Sequence, residues 1–188
     1  MALTITDLDL TQRADQAAPL SAVQHDANLT ALENKINELI DTLHALLSYA
    51  EAFLSGGVAA LNLAIADTWY GIPGLTGGHQ DRITFDATKN SLVVAADGDY
   101  YVSASVSFSG TTGHTFKLGF GVGDGDTQVV DTDHVAIRKA ASGDVGTMSC
   151  VAIVEATAGQ HITVNLLDVG GTGNVTPAEV TLVVQRKE

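Results

Sequence analysis

The sequence predicts a mainly β fold, an antiparallel jelly-roll sandwich of about eight strands preceded by an α-helical coiled-coil stalk. Three observations predict it. Apolar residues recur at helical spacing from Ser21 to about Ser55, in a stretch without proline or glycine. From Arg82 onward the period switches to two, with Gly, Asp and Asn turns between the alternating runs and no helical segment among them. The composition, 45% hydrophobic and 16% charged, carries enough apolar surface to close a packed core.

The elements follow in order. Residues 1–20 read as an extended anchoring arm stopped by Pro19. Residues 21–66 read as the helical stalk, opened by Ser21 as N-cap and broken near 56–57 by the Gly56-Gly57 pair. With Leu29 set as heptad position a, the a positions are Ala22, Leu29, Ile36, Leu43 and Ala50, and the d positions are His25, Leu32, Leu39, Leu46 and Phe53. Ile40, Leu47 and Leu54 at e widen the stripe, which favours three strands over two. The trimerisation seam is therefore assigned to Leu29, Leu32, Ile36, Leu39, Leu43, Leu46 and Phe53.

Residues 67–80, DTWYGIPGLTGGHQ, read as a Gly-rich hinge in which Trp69 and Tyr70 plug the base of the next domain. Residues 81–188 form the β domain. Tyr100, Val102, Ala104, Val106 and Phe108 alternate with polar neighbours, as do Phe116, Leu118, Phe120 and Val122. The same alternation runs through Met148 to Val154, Ile162 to Leu166 and Val180 to Val184, with further strands expected at 82–86, 91–96 and 127–139. The second face of the central strands carries Ser103, Ser105, Ser107, Gly119 and Gly121. Side chains this small admit another backbone or subunit, so these five residues are candidates for an inter-subunit strand face.

Composition also excludes classes of partner. Nine Lys and Arg against 22 Asp and Glu leave a net charge of -13, which repels nucleic acid and acidic membranes. The single cysteine, Cys150, sits among Met148, Ala152 and Val154, where a thiol acts as a small hydrophobe and not as a nucleophile. No apolar run approaches the ~20 residues that cross a bilayer, and the first residues lack the pattern of a signal peptide.

Three segments carry a family resemblance: GDYYVSASVSFSG at 98–110, AGQHITVNL at 158–166, and AEVTLVVQR at 178–186. Together they resemble the tumour necrosis factor and complement-type jelly rolls, and more narrowly the versions at the C-termini of bacteriophage fibre and capsid-decoration proteins. The resemblance covers roughly residues 80–188. It implies a tight homotrimer carried on a trimeric stalk. The lack of a repetitive shaft fits a short projection better than a long tail fibre.

Candidate chemistry is sparse. The six histidines never fall in an H-x-x-x-H or H-E-x-x-H spacing, so no metal or cofactor is expected. The acidic stretch from Asp124 to Asp133, with Asp126 and Asp131, reads as a solvated hairpin turn, with a calcium loop as the weaker alternative. No catalytic constellation is expected. The functional expectation is a non-enzymatic virion structural protein at the particle surface, assembled in the host cytoplasm. It would be a trimeric capsid-decoration or short head-fibre protein whose N-terminal arm binds a major capsid or other virion protein. The alternative is a receptor- or glycan-binding tail-fibre tip using Tyr101, His114 and the acidic loop.

Overall fold

The computed structural model describes residues 21–46, 48–125, 128–130 and 132–187, without the side chains of residues 44–46. The expected arm, residues 1–20, lies outside the described residues. The chain divides into two units, 1–44 and 45–188.

The helix α1 spans Ala22–Leu46, all but its last two residues in the first unit. It begins where the sequence expects, and for the expected reason. The Ser21 hydroxyl accepts from the Gln24 N–H at 3.3 Å, while the Gln24 side chain accepts from the Ser21 N–H at 2.8 Å. This reciprocal capping box satisfies two donors that a helix start otherwise leaves unpaired. Leu29, Leu32, Ile36, Leu39 and Leu43 are all exposed along the helix. The Leu46 side chain lies outside the description.

The second unit holds thirteen strands among the described residues. These are β1 (Tyr49–Ser55), β2 (Leu61–Asn62), β3 (Tyr70–Gly71), β4 (Thr76–Asp81), β5 (Ile83–Asp86), β6 (Ser91–Val94), β7 (Gly98–Gly110), β8 (Thr115–Gly123), β9 (Gln128–Val130), β10 (Ala136–Lys139), β11 (Gly146–Ala156), β12 (His161–Asp168) and β13 (Asn174–Arg186). They form two antiparallel sheets. Sheet A has the order β11-β7-β13-β1-β4 with β2 beside β13, and sheet B the order β10-β8-β12-β6-β5 with β3 beside β12 and β9 beside β8.

Two boundaries of the sequence reading are corrected here. The helix does not reach Ser55: Ala50 and Phe53, assigned to the heptad seam, lie in β1, and Leu54 with them. Ala50, Ala52 and Leu54 point into the core while Tyr49, Glu51, Phe53 and Ser55 point outward. Pairing with β13 on one side and β4 on the other outweighs the helical preference of this stretch. Residues 67–80 are likewise no hinge, because β3 pairs with β12 and β4 with β1. The jelly roll starts near residue 45 and not at 81. Arg82, with φ at 55°, passes the chain from β4 in sheet A to β5 in sheet B.

The core lies between the sheets, on the inward positions that the period-two pattern marks. Tyr100, Val102, Ala104, Val106 and Phe108 from β7 and Val180, Leu182 and Val184 from β13 face Phe116, Leu118, Phe120, Ile162, Val164 and Leu166 from sheet B. Phe108 and Phe116 meet across the sandwich edge to face, 5.5 Å between centroids at 84°. Cys150 is buried in this core, as its apolar neighbours predict. Pro177 is accommodated in the long strand β13 by a bulge opposite β7, between Pro177 and Glu179.

Candidate functional site

Two outward surfaces of the sandwich carry more than solvated turns. The first is the outer face of sheet A. Its register lines up four cross-strand rows: Ile153, Tyr101, Gln185 and Tyr49; Val151, Ser103, Val183 and Glu51; Ser149, Ser105, Thr181 and Phe53; Thr147, Ser107, Glu179 and Ser55. Tyr49, Phe53, Tyr101, Val151 and Ile153 are exposed large apolar side chains. The middle of β7 carries serines, two of which pair with neighbours on β11: Ser149 donates to Ser105 at 3.2 Å, and Ser107 and Thr147 share a bond at 2.9 Å. The result is a shallow trough of ≈ 240 Å³ lined by Ser103, Ser105, Ser149, Val151 and Thr181. Apolar ridges around a neutral, small-residue trough are the chemistry of a protein contact surface.

Gly119 and Gly121 do not belong to this face. They lie on β8 in sheet B, so the five residues assigned to one inter-subunit face separate onto two sheets. The physical reason for the glycines is also different. A methyl group on Gly119 would lie 3.1 Å from the Trp69 ring and 3.3 Å from Val130. These glycines seat the protein's own side chains.

That arrangement makes the second surface, a cleft of ≈ 300 Å³ on the outer face of sheet B. Its lining includes Trp69, Lys89, Gln128, Thr163 and Asn165. Thr163 and Asn165 are 3% and 4% exposed although they sit on the outward side of β12. Asn165 Nδ2 donates to Thr163 Oγ1 at 2.9 Å, and the Thr163 hydroxyl reaches Gln128 Oε1, with the Gly121 carbonyl at 3.4 Å as a second acceptor. The sequence singles out Trp69 only as a plug for the base of the domain, and it does not point to the other four as a site. For those four, the signal in the sequence is the polar alternation of Thr163 and Asn165 in the strand Ile162 to Leu166.

The turn that carries Lys89 is fixed by Asp86, whose carboxylate accepts from the N–H groups of Thr88 at 2.7 Å and Lys89 at 3.2 Å. The Lys89 bond first and the Thr88 bond second hold the Asp86 carboxyl below its ordinary pKa. The folded value therefore lies below the unfolded one, ~3.9. The turn's contribution is fully present above the unfolded value and is lost as pH falls through the folded one. In an NMR pH titration, Asp86 is expected to protonate at lower pH than an unconstrained aspartate. An ordinary midpoint would mean that these two bonds do not persist in solution.

Other polar groups are structural in their geometry. The Ser91 hydroxyl lies 2.7 Å from His161 Nδ1, but Ser91 is fully buried, so this pair offers no nucleophile to a substrate. Tyr100 donates to the Ala96 carbonyl at 2.5 Å, and burial raises its phenol pKa. His114 Nδ1 lies 2.6 Å from Asp168 Oδ2 at one end of the sandwich. Tyr101 and His114, candidate contacts of a distal tip, are not brought together. Nearly the whole of β7 separates them, roughly 30 Å of extended chain. Of the acidic loop, Asp126 and Asp131 lie outside the described residues. Among the described residues no cluster of three His, Cys, Asp or Glu is placed to hold a metal, and no helix is long and apolar enough to cross a membrane.

No protein-family profile matches the chain, and no curated protein matches it in sequence. Solved structures do. The Eiger TNF of S. frugiperda superposes with a TM-score of 0.51 at 15% identity, over 74% of this chain and 92% of that one. Murine APRIL at pH 8.0 superposes with a TM-score of 0.48 at 14% identity, over 73% of this chain and 98% of that one. The two antiparallel sheets together with the first of these superpositions make the fold a TNF-like jelly roll.

Proposed function

We propose that the chain is a non-enzymatic structural protein that associates with two further copies of itself, joined through the outer face of sheet A and through the apolar stripe of α1. The observation that carries this reading is the exposed row of Ile153, Tyr101 and Tyr49 beside the serine trough, a surface whose burial by a like surface would remove several large apolar side chains from water. The stripe from Leu29 to Leu43 adds a second unpartnered seam of the heptad kind. The TNF-like fold, and the trimers that the strand motifs imply by resemblance, favour three copies over two.

The virion reading goes one step further: a bacteriophage capsid-decoration or short head-fibre protein, held to a major capsid or other virion protein by the N-terminal arm with the jelly roll displayed at the particle surface. It is supported by the resemblance of the motifs at 98–110, 158–166 and 178–186 and by the net charge of -13, which keeps a densely displayed protein soluble. Three linked arms hold where one would not, because the second and third contacts form at high effective concentration. Sedimentation of the full chain at micromolar concentration is expected to give three times the monomer mass, and a strict monomer would overturn the association. Deleting residues 1–20 is expected to leave that assembly intact while abolishing attachment to capsids. Attachment that survived the deletion would put the anchor elsewhere.

A further inference from the structure

We propose that the cleft around Trp69 on sheet B is a saccharide-binding site, independent of any association through sheet A. The argument begins with its floor. A methyl group on Gly121 would lie 2.6 Å from Gln128 Oε1, 2.7 Å from Asn165 Nδ2 and 2.9 Å from Thr163 Oγ1. Only a residue without a side chain lets three polar groups converge on this point. Beside them, Gly119 seats the Trp69 ring. An aromatic wall and a cluster of neutral hydrogen-bonding groups therefore stand next to each other on a rigid pair of strands.

Both walls are anchored. Trp69 directly precedes β3, whose Tyr70 and Gly71 pair with Leu166 and Asn165, and the Tyr70 hydroxyl accepts from the Ile65 N–H at 2.9 Å. Lys89 is held on the Asp86 turn. A cleft fixed from both sides spends little binding energy on ordering itself.

The lining chemistry selects the ligand class. Asn165 and Gln128 each carry two amide donors and an acceptor oxygen, and the bonds they make to Thr163 use only part of that capacity. An apolar ligand would cover these groups without pairing them, at a cost of ~1–3 kcal/mol each. A polyanion would meet one lining cation, Lys89, on a chain of net charge -13. A ring polyol satisfies both halves, because its hydroxyls donate to and accept from the amides while its C–H face lies on the indole. At ≈ 300 Å³ the cleft sits at the small end of ligand sites, which suits one or two sugar rings.

Trp69 is the single tryptophan of the sequence, so its fluorescence reports on this cleft alone. Full-length protein titrated with glucose, galactose, mannose, N-acetylglucosamine, glucuronate and their disaccharides at millimolar concentration is expected to show a saturable change for at least one sugar. Asn165→Ala is expected to weaken that binding at least about tenfold, the size of one or two lost hydrogen bonds. Gln128→Ala, at a less buried position, is expected to weaken it too and covers the case in which Asn165→Ala does not fold. Val129→Ala, at an exposed position outside the cleft, is expected to leave it unchanged. No saturable response from any sugar, a response equalled by the open-chain polyol sorbitol, or binding retained in both cleft variants would overturn the site.

Discussion

A chain carrying Ser105→Arg and Val183→Arg is expected to associate at least a hundredfold more weakly than the parent while keeping its jelly roll. Ser105 lies in the trough on β7, and Val183 on β13 lies diagonally beside it, paired with Ser103. Both side chains point away from the core, so in the single copy the guanidinium groups stay in water and cost no more than ~0.5 kcal/mol. If copies pack through this face, the same groups are taken out of water, and the carboxylate across from Val183, on Glu51, already accepts from the His79 N–H and cannot neutralise both. That penalty amounts to several kcal/mol per ion, repeated in every copy. Since 1.4 kcal/mol is a factor of ten, even one such charge per contact exceeds about a hundredfold. Sedimentation across a concentration series reads the change, and circular dichroism confirms the fold. An association constant equal to that of the parent would exclude the outer face of sheet A and leave the helical stripe as the surface that joins copies.

The sequence announces some of this architecture and hides the rest for identifiable reasons. The start of α1 is legible because Ser21 and Gln24 are a local pair whose geometry depends on nothing distant. Its end is not legible, because Ala50, Phe53 and Leu54 continue the heptad stripe, and only a pleat that turns Ala50 and Leu54 inward and Phe53 outward tells strand from helix. The contacts that decide between them come from β13, some 130 residues further along. Gly71, Gly77 and Gly78 read as a hinge since glycine punctuates most turns. In the structure two of them mark close approaches of other side chains: a methyl on Gly77 would meet Phe85 at 2.7 Å, and one on Gly78 would meet Glu51 Cγ at 2.5 Å. The inward positions of the long strands are legible because burial follows the pleat residue by residue.

The functional surfaces differ in the same way. The outer face of sheet A is half legible. Serines at 103, 105 and 107 announce a small-residue strand, but the apolar ridge that gives them meaning is assembled from β1, β7 and β11. The Trp69 cleft was not legible, because its walls come from the approach to β3, the β5–β6 turn, β9 and β12, and only the sandwich brings them together. The two surfaces lie on the outer faces of different sheets. Copies joined through sheet A would therefore leave the sheet B cleft open to a ligand, and three copies would present three such clefts, a geometry in which weak single contacts gain strength.

Asp168→Ala is expected to lower the stability of the jelly roll by about 3 kcal/mol, the largest loss expected from any polar side chain among the described residues. Asp168 ends β12 and is 0% exposed. Its Oδ2 accepts from the Gly173 N–H at 2.7 Å and faces His114 Nδ1 at 2.6 Å, which ties the β12–β13 connection to the β7–β8 connection. Its backbone carbonyl accepts from the Asp67 N–H at 3.1 Å, and Asp67 in turn accepts from the Gly170 N–H at 3.0 Å, so a third segment is held at the same point. Removing the carboxylate strands the Gly173 N–H in a buried place and frees a histidine that had a partner. Two effects hold the figure at the low end of what a broken buried pair costs: His114 is 32% exposed and recovers water, and Asp168 Oδ1, without a partner among the described residues, no longer has to be buried. A loss of this size lowers Tm by roughly 10 °C in a domain of this length. His114→Ala should cost less, since Gly173 keeps its acceptor. Thermal unfolding of both variants checks the order. A Tm for Asp168→Ala within a degree or two of the parent would mean that the three connections close on their backbone bonds alone and that the buried carboxylate is not their clasp.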